Sequence, residues 1–95
     1  MNATATFLTN HANRHMTALC AHFARKVPVL TEDDVSHVSF PFGQCDLSAN
    51  AEHLKLTATA RARDELERVV EVVSNHLDRF AFRENPNLTW TFADH

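Results

Sequence analysis

The sequence predicts an α+β fold of element order β-α-β-β-β-α-β, a mainly antiparallel sheet with two helices packed on one face. Two segments, 12–27 and 62–80, place apolar residues at the three-to-four-residue spacing of amphipathic helices. The stretch between them alternates apolar and polar residues with period two and is punctuated by turn residues, as consecutive hairpins are. Opposite the apolar positions the strands are rich in Thr and Ser, so one sheet face can stay wet while the other is covered. Ninety-five residues, 44% of them apolar and 22% charged, suit a single domain over 1–95. A domain of that size buries roughly 60–70% of the surface its unfolded chain exposes.

Residues 3–9 (Ala-Thr-Ala-Thr-Phe-Leu-Thr) alternate and carry β-prone threonines, which makes a short first strand. Thr9 or Asn10 can then cap a helix whose stripe is Ala12, Met16, Leu19, Cys20, Phe23 and Val27. Pro28 ends it, because the residue before a proline is pushed out of helical geometry. The acidic run Thr31-Glu32-Asp33-Asp34 is expected to be a loop.

Next, Val38, Phe40 and Phe42 alternate with His37, Ser39 and Pro41, and beyond Gly43-Gln44 the alternation continues through Cys45, Leu47 and Ala49. A two-residue turn at Gly43-Gln44, of the type that begins with glycine, would pair 42 with 45, 40 with 47 and 38 with 49. After Asn50 the parity flips to Leu54, Leu56, Ala58 and Ala60. A four-residue turn at 50–53, pairing 49 with 54, restores one common apolar face. The second helix carries Ala62, Leu66, Val69, Val70, Val73, Leu77 and Phe80 on one stripe, with Asp64, Glu67, Arg68, Glu71 and Asp78 opposite. Asn85-Pro86-Asn87 turns the chain into a last strand, where Leu88, Trp90 and Phe92 alternate with Thr89 and Thr91.

The net charge of −3 argues against a general nucleic-acid binder. No apolar run approaches the ~20 residues of a membrane span, and Met1-Asn2-Ala3-Thr4 lacks the features of a signal peptide. A cytoplasmic location is therefore expected, with Cys20 and Cys45 reduced and serving as small core residues. Charge is nevertheless segregated. Residues 1–30 hold Arg14, Arg25 and Lys26 and no acid, while 31–52 hold Glu32, Asp33, Asp34, Asp46 and Glu52 and no base.

Seven histidines are many for this length, and they alone titrate near neutrality. His11 and His15 are four apart, a spacing that lets two imidazoles reach one metal, although as solvent-facing residues they need no ligand at all. His22 with Lys26, and His76 with Arg79, can either clamp an anion or simply offset the macrodipoles of their helices. Three strands between the helices would make both helices run the same way. His22, Arg25 and Lys26 would then meet His76, Arg79 and Arg83 at one end of the domain. No phosphate-binding glycine loop, nucleophile elbow or paired-cysteine zinc motif is present. With no complete catalytic set, an enzyme is the least favoured reading.

The segments Leu19-Cys20-Ala21-His22-Phe23-Ala24-Arg25-Lys26 and His76-Leu77-Asp78-Arg79-Phe80-Ala81 resemble an uncharacterised bacterial family, domain of unknown function 2218. Phe40-Pro41-Phe42-Gly43 and Leu88-Thr89-Trp90 extend the likeness over nearly the whole chain. Some members of that family are associated with siderophore-interacting flavin reductases, so the resemblance implies, by association, a link with iron homeostasis and ferric chelates. Members commonly carry histidine where this chain has Arg25, which weakens a joint metal site but leaves an anion clamp intact. Three functions therefore stand. One is a non-catalytic binding module in which His22, Arg25, Lys26, His76 and Arg79 hold an acidic small molecule or ferric chelate. The second is a metal-binding protein using His11, His15, His22 and His76. The third is an interaction domain that pairs with itself as a homodimer or with a flavin reductase.

Overall fold

The computed structural model describes residues 1–93. In chain order the elements are β1 (Asn2–Leu8), α1 (Ala12–Phe23), β2 (Val29–Glu32), β3 (Val35–Phe40), β4 (Gly43–Ala49), β5 (His53–Thr59), α2 (Arg63–Phe80), a 3-10 turn (Phe82–Glu84) and β6 (Thr91–Ala93). The strands form one antiparallel sheet in the order β2-β3-β4-β5-β1-β6. Both helices lie on the face that presents Ala3, Phe7, Val38, Cys45, Leu47, Leu54, Leu56 and Ala58. Leu19 and Phe23 of α1 and Leu66, Val69, Val73 and Leu77 of α2 complete that core. The α+β class and the shared apolar face are as the sequence predicts. No helix among the described residues is long and apolar enough to cross a membrane.

The structure has one strand more than expected. The acidic run is not a loop: Val29 to Glu32 pair with Val38 to Val35, and the chain reverses at Asp33-Asp34. Asp33 takes a positive φ of 53°, a conformation aspartate tolerates better than most residues and one that two-residue hairpin turns exploit. Thr31 and Ser36 join their hydroxyls across this pair at 2.9 Å.

The next hairpin also turns earlier than expected. Phe40 pairs with Gly43 and Val38 with Cys45, so the turn is Pro41-Phe42 rather than Gly43-Gln44. Proline at the first central position and glycine at the closing one favour an ordinary turn there, and neither central residue has a positive φ. The apolar face survives because the register moved by an even number of residues. Gly43 is needed for close approach instead. A Cβ there would lie 2.6 Å from the Thr59 carbonyl oxygen and 2.7 Å from Val69 Cγ2. The following hairpin pairs Ala49 with Leu54 as the parity flip requires.

The extra strand reverses the relative direction of the helices. His22, in the last turn of α1, meets His76 and Phe80 of α2, whereas His15 and Thr9 at the start of α1 reach Glu84 beyond the end of α2. The helices therefore run antiparallel, not parallel.

His15 is also not solvent-facing. It is 4% exposed, against Phe7, and its Nε2 lies 2.5 Å from Glu84 Oε2. Thr9 donates its hydroxyl hydrogen bond to the other Glu84 oxygen and accepts the His11 backbone N–H at 3.0 Å, which fixes the entry to α1. These bonds, the Thr9 hydroxyl first, hold the Glu84 carboxyl below its ordinary value of 4.5. A depressed carboxylate contributes stability that is complete above the unfolded value and lost as pH falls through the folded one. Chemical denaturation between pH 7 and pH 3 should therefore show a steeper loss below about pH 4.5 in the wild type than in Glu84→Gln. Parallel curves would mean that this lock does not contribute.

Candidate functional site

Where the last turn of α1 crosses α2, histidines and cations gather on an aromatic floor. The rings of His22 and His76 lie 4.7 Å apart between centroids, tilted by 49°. Phe23 touches His76 at 4.9 Å and Phe40 at 5.2 Å, and Phe40 stacks on Phe42 at 5.3 Å. Phe80 closes the other side of His22 at 5.7 Å. Each helix supplies its part through its own periodicity. On α1, Phe23 points into the core while its neighbour His22 emerges half-buried at the helix edge; on α2, Leu77 and His76 divide in the same way.

His22 lines three adjoining recesses. One, of about 210 Å³, is mostly apolar and also includes Phe23, Lys26, Phe40, Pro41, Phe42 and His76. A second, of about 280 Å³, lies with His76, Arg79 and Phe80, and a third, of about 360 Å³, with Arg25 and Lys26. Arg25, Lys26 and Arg79 are exposed, and none makes a salt bridge among the described residues. Arg68 adds a fourth cation, its guanidinium 4.2 Å from the centre of the Phe42 ring. A larger recess of about 480 Å³ lies across the Phe40–Gly43 turn, but it has only Arg61 and Glu65 as charged groups and no histidine.

The two histidines are held differently. His76 donates its Nδ1–H to the Val72 carbonyl at 2.7 Å, so the neutral ring carries its lone pair on Nε2. The His22 imidazole is kept below its ordinary value, first by desolvation and then by repulsion from His76, Arg25, Arg79 and Lys26. It is thus mainly neutral near pH 7. Both helix C-termini would repel an anion, so only side chains can hold one here.

All five residues expected to form a clamp, His22, Arg25, Lys26, His76 and Arg79, therefore fall around one region. They do so for a different reason than expected: α1 lies along the final turns of α2 and the segment after it. Arg83 departs from them and lies over the exposed Phe82 ring, at 5.8 Å. His11 and His15 do approach, edge to face at 6.3 Å, yet a metal bridging them would have to compete with the His15–Glu84 pair. No group of three or more His, Cys, Asp or Glu among the described residues is placed to hold a metal ion. The cysteines are free, and burial pushes the Cys45 thiol up to about 12, as suits an inert core residue. From the sequence Phe40, Phe42 and Phe80 read as core residues first and pocket lining second, because phenylalanines that alternate with polar residues look the same in either role.

The family model described as "Uncharacterized protein conserved in bacteria (DUF2218)" matches residues 4–91, and the chain belongs to that family. It is similar to the NMR structure of PA4090 from Pseudomonas aeruginosa, with a TM-score of 0.83 and 26% identity over 99% of this chain and 98% of that one. Among curated proteins none matches.

Proposed function

We propose that this member of the family is a non-catalytic binding module for a small acidic molecule with a flat apolar body. The supporting observation is that three cations, none with an acidic partner among the described residues, surround a contacting His22–His76 pair above an aromatic floor. The cations would meet the acid groups, while Phe23, Phe40 and Phe42 would cover the apolar part. A negatively charged ferric chelate is the alternative ligand and would be held by the cations alone.

The test is a titration with 2-naphthoate followed by fluorescence and by ¹H–¹⁵N spectra. Binding should perturb residues 22–26 and 76–80 and weaken with added salt. Two exposed charge contacts are worth up to ~1 kcal/mol each, so the Arg79→Ala, Lys26→Ala double variant should bind about tenfold more weakly. Equal affinity in the two proteins would overturn the clamp.

A further inference from the structure

We propose that His22 and His76 together form an inner-sphere site for a late first-row transition metal that arrives already bound to an anionic chelator. The inference deepens the anion-cleft reading and depends on it. Its basis is the geometry of the two rings. With a metal–imidazole bond of about 2.0–2.1 Å, two rings bound side by side bring their centroids to roughly 4.5–5 Å. The observed separation is 4.7 Å.

The hydrogen bonding of His76 is that of a metal ligand. A metal-bound histidine almost always donates its second N–H to a carbonyl or carboxylate, which fixes the tautomer and the ring plane. His76 already does so through Nδ1 to Val72, leaving Nε2 as a lone pair. Neither this nitrogen nor either nitrogen of His22 has a hydrogen-bond partner among the described residues. Imidazole donors favour copper, nickel and zinc over the hard cations that oxygen ligands select.

The surroundings decide the form in which the metal comes. Two imidazoles are too few for a closed shell, and no third protein ligand stands beside them among the described residues. Arg25, Lys26 and Arg79 would also repel a bare dication from the same recesses. Both deficits are met by one kind of ligand. A metal held by a carboxylate-rich chelator brings its own remaining donors, and its excess negative charge faces the three cations.

Nickel(II) nitrilotriacetate is a suitable probe, being a mononegative complex with two adjacent open coordination positions. The untagged wild-type protein should bind it in a one-to-one complex and more tightly than it binds nickel chloride. His22→Phe and His76→Phe, which keep a ring in place, should each weaken binding about tenfold or more. His11→Asn and His53→Asn should not. In the wild type the paramagnetic ion should shift or broaden the ring protons of His22 and His76 before those of other histidines, a readout that needs no variant. The inference is overturned if bare nickel binds more tightly, if His11 or His53 accounts for the binding, or if His22 and His76 stay unperturbed. If the chelate fails while 2-naphthoate still binds, the metal site alone falls; if both fail, the anion cleft falls with it.

Discussion

Replacing Leu77 by alanine should destabilise the fold by ~2–5 kcal/mol, through lost burial and the cavity left behind. Leu77 is fully buried and closes the stripe Leu66, Val69, Val73 and Leu77, by which α2 enters the same core as Phe23 and the strands. For a domain this size each kcal/mol lowers Tm by about 4–8 °C, so the effect should be plain in a melting curve. On the opposite, exposed face Glu71→Ala should stay within about 0.5 kcal/mol. A Leu77→Ala loss below ~1 kcal/mol would show that the last turns of α2 repack freely. That outcome would bear on the site as well, since His76 and Arg79 sit on those same turns.

The apolar pattern made much of this architecture legible, and its gaps have identifiable causes. Period-two alternation fixes which residues face the core, but it is blind to register shifts of an even number of residues. Pairing Val38 with Ala49, as expected, or with Cys45, as found, leaves every apolar residue on one face. Turn chemistry could have decided between them, because Phe40-Pro41-Phe42-Gly43 carries proline and glycine at the positions an ordinary turn favours. Strand β2 was hidden because Leu30, Thr31 and Glu32 are exposed on the edge of the sheet and show no burial pattern. That one missing strand reversed the deduced direction of the helices. The charged members of the site were legible all the same, because cations and histidines late in a helix stand out individually. The His15–Glu84 lock was not, since it joins residues far apart in sequence and histidine has no burial preference strong enough to reveal it.

Gly43→Ala should be among the most damaging single-methyl changes available to this chain. The residue sits at the start of β4 with ordinary negative φ, so alanine could adopt its backbone conformation. The obstacle is space. The added carbon would stand 2.6 Å from the Thr59 carbonyl oxygen, 2.7 Å from Val69 Cγ2 and 3.2 Å from Ala60 Cβ. A side chain such as Val69 can turn or shift, but the Thr59 oxygen is backbone belonging to the neighbouring strand β5. Relief therefore requires β4 and β5 to part or α2 to lift, at a cost of ~1–3 kcal/mol or more. The two obstacles can be separated by a double-mutant cycle. Val69→Ala removes the colliding methyl and should be less damaging in the Gly43→Ala background than in the wild type, with a coupling of about 0.5 kcal/mol or more. The carbonyl clash remains, so stability should not return to that of Val69→Ala alone. Displacement of β4 would also move the Pro41–Phe42 turn that walls the apolar recess beside His22, and Gly43→Ala should weaken 2-naphthoate binding without touching a charged group. Strict additivity together with an unchanged melting temperature would show that α2 and β4 have room to spare, and that the glycine is not a packing requirement.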